Sequence, residues 1–262
     1  MLRNVYWRAR RRYHRQRLLG AARGYFLNCD DFDAALRLED GQLVEINTKD
    51  GLSLTIRRNY MDAVILAEVF LDNCYVRYMD LPAEPVVVDI GGYIGDFALY
   101  AAKRLNARQV VVCEPSPRNW ALLERNVASN HYKDRILTVH KAVTDGGDVF
   151  MDVDAPDRVQ AMVSAFGPDQ RGRKRIPGTT LKSVLDEHGI DTVDLLKIDC
   201  EGGEYSILSS TPADVFRRIR RIVFEYHEID GFAAKLKSLK EHLRDGGYRI
   251  VTHSNLVWAT RG

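Results

Sequence analysis

The sequence predicts an α/β fold with a mostly parallel sheet covered by helices on both faces. Three observations predict it. From residue 86 short apolar runs alternate with helical segments, as in VVVDI (86–90) and QVVVCE (109–114). A glycine-rich turn, Gly91, Gly92 and Gly95, follows the first run. The chain has 262 residues, enough for one α/β domain with extras.

Composition sets the limits. Hydrophobic residues make up 45% and charged residues 28%, which excludes a wholly disordered or fibrous chain. No apolar run reaches the ~20 residues of a membrane span, and no apolar core of a secretory signal follows the N-terminal charges. Cys29, Cys74, Cys113 and Cys200 lie far apart without a C-x-x-C pair, which argues for a reducing, cytoplasmic setting and against a zinc site or disulfide scaffold.

Residues 1–27 form a basic arm, with eight arginines (Arg3, Arg8, Arg10, Arg11, Arg12, Arg15, Arg17, Arg23) and no acid. Three readings stay open: a solvated helix packed through Leu2, Val5, Tyr6, Ala9 and Tyr13, peripheral contact with an anionic membrane, or nucleic-acid binding. The pI near 8.3 argues against the last for the body. Oligomeric state is not encoded in any pattern found.

Residues 28–82 form an extension. Residues 28–42 read as a connector, and 43–57 as a hairpin turning at Asp50-Gly51. Residues 62–72 read as a buried helix capped by Asp62. Residues 83–262 form the main domain. A helix over 96–104 follows the glycine turn, and Ser116 and Pro117 open the next, with Trp120, Leu123 and Val127 facing inward. Ile136–Lys141 is the third strand, and 148–178 an insertion. Helix 180–188 leads to strand 194–199, a short helix near 203–208 to strand 221–227, and helix 230–244 to Gly246-Gly247. Strands near 248–252 and 256–260 close the sheet as an antiparallel pair.

Ligands of an open α/β sheet sit outside the carboxyl ends of its strands, where strand order reverses. The first turn, DIGGYIG, is not the dinucleotide G-x-G-x-x-G, since position 93 is Tyr. Asp89 at the strand end would repel a pyrophosphate but suits the amino group and sulfonium of S-adenosylmethionine (SAM). Glu114, ending the second strand, can accept both ribose hydroxyls.

Residues 86–100 (VVVDIGGYIGDFALY), 110–127, 195–208 (LLKIDCEGGEYSIL) and 223–227 resemble the FkbM family of SAM-dependent methyltransferases. The resemblance spans roughly residues 50–260. It implies a Rossmann-like class I methyltransferase fold with a seven-stranded sheet, SAM as methyl donor, and a hydroxyl acceptor on a glycan, glycolipid or secondary metabolite. Asp89, Gly91 and Gly95 match the family's glycine motif, and Glu114 and Pro115 its ribose-binding step. Asp199, Glu201, Gly202 and Glu204 match its K-I-D-x-E-G-x-E block. Gly92-Tyr93 replaces the usual Ala-Asn, which removes a side-chain amide contact. Ala142, after the third strand, offers adenine only its backbone.

Methyl transfer to an aliphatic hydroxyl needs alignment and a place for the proton. Asp199 leaves strand four, and Glu225 and His227 leave strand five on one side of it. His227 is the first candidate for the base, as its ordinary pKa lies near neutrality. Glu225 would orient it, and Asp199 is the alternative base. Against this stands the plainer reading of satisfied polar residues at a buried strand end. No metal is expected, because Glu201 and Glu204 also read as a helix-start pair, and Cys200 reads as packing. The absence of an N-P-P-Y-like tetrapeptide after strand four speaks against amino-group methylation. Arg171, Arg173, Lys174 and Arg175 make the 154–178 insertion a candidate lid for an anionic acceptor. The rival functions are an RNA methyltransferase using the arm, and a SAM-binding scaffold without catalysis, suggested by Tyr93.

Overall fold

A computed structural model describes residues 16–38, 40–151, 173–227 and 229–262. The arm's residues 1–15 and most of the 154–178 insertion, Arg171 included, lie outside the described residues.

Helix α1, described over residues 16–25, is followed by α2 (Cys29–Arg37). The segment expected as a connector is therefore helical. Its acids obscured an apolar stripe, Phe32, Ala35 and Leu36, at helical spacing, and all three are buried. Leu18, Ala22 and Phe26 are buried in the same cluster, so residues 16–27 pack as part of the extension. The hairpin forms where expected, β1 (Leu43–Asn47) against β2 (Ser53–Arg57). Helix α3 runs over Tyr60–Phe70, and its cap is Asn59, whose side chain accepts from the Asp62 N–H. Asp62 is thereby free of the capping role expected of it and turns into the protein.

The main sheet is built from β3 (Val86–Ile90), β4 (Gln109–Cys113), β5 (Ile136–Val139), β10 (Leu195–Ile198), β11 (Arg221–Glu225), β12 (Arg249–His253) and β13 (Leu256–Thr260). Their order is β12-β13-β11-β10-β3-β4-β5, all pairs parallel except those made by β13. Strand order reverses between β3 and β10, which pair directly. Helices α4 (Asp96–Arg104), α5 (Pro117–Ser129), α6 (Leu181–Glu187), α7 (Glu204–Ser210) and α9 (Phe232–Asp245) cover the sheet, with a short α8 (Ala213–Arg217) that the sequence reading missed. Along β3, Val87 enters one core cluster with the extension, while Val86, Val88 and Ile90 enter the other. Flanking the insertion, β6 (Ala142–Thr144) pairs parallel with β9 (Gly178–Thr180), and within it β7 (Val149–Met151) pairs antiparallel with β8 (Lys174–Ile176). Lys174 and Arg175 thus lie on a strand, with Arg175 paired to Asp148.

Among the described residues no helix is long and apolar enough to cross a membrane. All four cysteines are unpaired.

Gly91 is conformationally required. Its φ is +83°, and a Cβ there would sit 1.7 Å from the Asp199 carbonyl oxygen. Gly91→Ala should lower the unfolding free energy by at least about 1–3 kcal/mol, the scale of local backbone strain, as read by urea denaturation.

Candidate active site

Two groups of side chains meet at the β3/β10 switch. The first is the glycine turn and its neighbours. Gly91 and Gly92 N–H both donate to the Cys113 carbonyl at 3.0 Å, folding the turn back onto the end of β4. Glu114 follows β4 and is buried. Its two oxygens accept the Tyr93 N–H (2.9 Å) and the Ser116 N–H (2.7 Å). Burial raises its pKa to about 7 against those lowering hydrogen bonds. Pro115 is buried beside it. Asp89 is fully enclosed in β3, with Oδ1 3.0 Å from Lys197 Nζ on the neighbouring strand. The Ala142 N–H donates to the Pro177 carbonyl and is not spare. Nearby, the half-buried Trp120 stacks on His140, with centroids 4.7 Å apart.

The second group is built on the ends of β10 and β11. Asp199 lies one residue beyond β10, and its Oδ2 accepts the Tyr75 hydroxyl at 2.7 Å. A turn with Glu201 (φ +54°) and Gly202 (φ +104°) leads into α7. It sends Glu204 inward, where Oε2 accepts the Gly202 N–H at 2.8 Å. Glu204 Oε1 accepts the His227 backbone N–H at 2.8 Å and lies 3.3 Å from the ring Nδ1. The His227 carbonyl accepts from Tyr205 at 3.0 Å. Strand β11 ends at Glu225, so His227 stands two residues past it, held by its amide, its carbonyl and one ring nitrogen.

Its other nitrogen, Nε2, faces Glu201 (3.4 Å), Asp199 (3.9 Å) and Glu225 (4.0 Å). Burial disfavours charge on the ring, but hydrogen bonding to Glu204 and the charges of Glu201, Glu204 and Asp199 outweigh it, raising its pKa to about 9. Burial lifts Glu201 to about 7 and Glu225 to about 8, in each case against the opposing pull of His227 and with Asp199 adding to the rise. The sequence reading gave Glu225 the task of orienting His227. The side chain at Nδ1 is Glu204, because the left-handed turn at Glu201 directs it there, while Glu225 accepts from Asn255. Asp199, Glu201 and His227 also offer one ligand atom each within 4.8 Å of one another.

Of the residues that sequence reasoning proposed, Asp199, Glu225, His227, Gly91, Gly92, Tyr93, Gly95 and Glu114 gather at one end of the sheet. That reasoning missed Tyr75 and Lys197, and it placed Glu204 in the matching block without its contact to His227. Lys197 was visible as a charge within an otherwise apolar strand, LLKI.

The strand order, the glycine turn after the first strand of the main sheet and the acid ending the second define a class I methyltransferase. Residues 89–250, more than half of the chain, match the model of the methyltransferase FkbM domain, and the chain belongs to that family. It is 29% identical over 224 residues to the 31-O-demethyl-FK506 methyltransferase FkbM of Streptomyces tacrolimicus, covering 73% of this chain and 84% of that protein. It is 26% identical to methyltransferase sdnD of Sordaria araneosa, covering 74% and 85%. A solved structure of methyltransferase FkbM from Methylobacillus flagellatus KT shares the fold, with a TM-score of 0.50 and 15% identity. That match covers 70% of this chain and 45% of the solved one.

The raised groups set the pH dependence of stability. Glu114, Glu201 and Asp96 (about 7) and Glu225 (about 8) bind protons more tightly folded than unfolded, and so does His227 (about 9). Each carboxyl adds stability that is complete below its ordinary range near 4–4.5 and lost as pH rises through 7–8. The His227 share is complete below about 6.5 and lost through about 9. Thermal melts should therefore show a midpoint that declines steadily from pH 5 to 9.5. A flat or rising profile would contradict the site's electrostatics.

Proposed function

We propose that the protein is a SAM-dependent O-methyltransferase acting on a hydroxyl of a sugar, glycolipid or secondary metabolite in the cytoplasm. The observation that carries this reading is the contact between the two groups. The glycine turn abuts Asp199 so closely that residue 91 has no room for a Cβ. A donor held by the turn and a proton acceptor on β10 would thus be neighbours. The family and the hydroxyl-directed name of the Streptomyces relative support the same reading.

The residues fit SAM. Each Glu114 oxygen accepts a backbone N–H, and the Asn119 side chain is a further hydrogen-bond partner of the carboxylate. A carboxylate has about four lone-pair sites, which leaves one for a ribose hydroxyl. Gly95 supplies no side-chain cap to α4, so the first-turn amides suit a carboxylate such as that of the methionine moiety. Bound there, SAM would supply an electrophilic methyl on its sulfonium.

The chain's own work is to align the acceptor and take its proton. His227, with its pKa near 9, carries a proton at neutral pH. We therefore move the base role from His227 to Asp199, whose Oδ1 faces the imidazolium and whose Oδ2 is pinned by Tyr75. His227 balances the charge of Glu201, Glu204 and Asp199 and keeps Asp199 oriented toward the acceptor.

Two measurements test this. Glu114→Ala should weaken S-adenosylhomocysteine binding by about 1–3 kcal/mol in titration calorimetry, the cost of unmade charged hydrogen bonds. Unchanged affinity would remove Glu114 from the cofactor site. With radiolabelled SAM and a panel of sugar, glycolipid and macrolide alcohols, Asp199→Asn should lower kcat by roughly 10²–10⁴-fold while cofactor affinity holds. A milder loss there than in His227→Ala would return the base role to the histidine.

A further inference from the structure

Tyr93 occupies the middle of the glycine turn with φ +49°, a left-handed conformation that bulky residues seldom adopt. Its side chain turns toward the N-terminal extension. The hydroxyl donates to Asp62 Oδ1 at 2.5 Å, and the Arg57 guanidinium lies 5.2 Å from the ring centroid. Asp62 is fully buried, and its Oδ2 accepts both the backbone N–H and the Nε–H of Arg57 at 3.0 Å. Arg57 Nη1 then donates to Asn119 Oδ1 at 3.0 Å, in the first turn of α5. This circuit meets Glu114 from both sides. Tyr93 gives one Glu114 oxygen its N–H, and Ser116, the cap of the helix that Arg57 grips, gives the other oxygen its own.

We infer that Tyr93, Asp62 and Arg57 are positioning residues of the cofactor site, through which the N-terminal extension sets the glycine turn and aims the Glu114 carboxylate. Asp62 and Arg57 lie outside the residues that match the family, 89–250. The inference rests on the reading of Glu114 as a cofactor ligand. A hydrogen bond from Tyr93 to a buried carboxylate offsets the strain of the left-handed backbone, and that backbone points the Tyr93 N–H at Glu114. Burial keeps the tyrosine protonated well beyond its usual range, so it remains a donor at physiological pH.

The test uses the full chain and S-adenosylhomocysteine as probe, with calorimetric titrations from pH 6 to 9 and a melting curve for each variant. Tyr93→Phe keeps the ring and removes only the hydroxyl. It should weaken binding about tenfold, the scale of one charged hydrogen bond. It should also move the pH midpoint of binding upward, because a misaligned Tyr93 N–H no longer favours the ionised Glu114. Asp62→Asn should do the same. Tyr93→Asn, which tolerates positive φ without Asp62, should recover most of the affinity. A purely structural role would lower melting temperature without moving the pH midpoint. Wild-type affinity and midpoint in Tyr93→Phe and Asp62→Asn, beside weakened binding in Glu114→Ala, would overturn the inference alone. Wild-type binding in Glu114→Ala would overturn the cofactor reading, and this inference with it.

Discussion

The buried ion pair between Asp89 and Lys197 underlies the rest of the site. The two residues are register partners on β3 and β10, the strands between which the chain's connections change direction. Lys197 reaches Asp89 at 3.0 Å and the Gly91 carbonyl at 2.6 Å, so one ammonium group ties the switch point to the glycine turn. Burial works against the charge on Lys197, but Asp89 and Asp199 hold its pKa above the ordinary lysine range. The Tyr75 ring, 5.1 Å away, covers the cation from the extension side. A pair like this adds little net stability compared with apolar residues of the same size. Removing one partner, however, would leave an uncompensated charge in the core. Its value here is geometric: it fixes a carbonyl, and through it the turn.

The extension completes the site from outside the family's matched region. Tyr75 reaches Asp199, and Asp62 accepts from Tyr93, so the end of β10 and the glycine turn each lean on a residue from the chain before β3. The aromatic contacts of Tyr75 with Phe97, and of Phe70 with Tyr100, lock α3 and the following turn onto α4. The extension and α4 share one apolar core, which makes these polar contacts rigid.

Much of this was legible in the sequence, because strong patterns outweigh context in the sheet. VVVDI and QVVVC are too apolar for anything but buried strands, and Ser116-Pro117 starts a helix for stereochemical reasons. The end of the sheet where chemistry gathers followed from those strands. Context decided the rest. Helix α2 hid behind Asp30, Asp31 and Asp33, although Phe32, Ala35 and Leu36 kept helical spacing. Asn59 took the cap expected of Asp62, since only the fold shows that Asp62 is needed by Arg57 and Tyr93. Glu204 stood in a recognised block, yet its role depends on a left-handed turn that linear spacing cannot reveal. The charge state of His227 depends on Asp199, Glu201 and Glu204 of the turn beyond β10, and the pattern of neither segment encodes how that turn packs against the end of β11.

The outer edge of the hairpin has a further consequence. Among the described residues, no strand pairs with β2 on that side. Instead α5 offers two side-chain amides: Asn126 exchanges hydrogen bonds with Thr55, and Asn130 with Ser53. Asn126 also donates to the Ile94 carbonyl, in the glycine turn. An isolated two-stranded hairpin is marginal in water, and this one borrows its third strand from a helix of the main domain. The hairpin is therefore not a portable module. A chimera that grafts a different extension onto this enzyme, or this extension onto a relative, would have to carry the two asparagines of α5 with it.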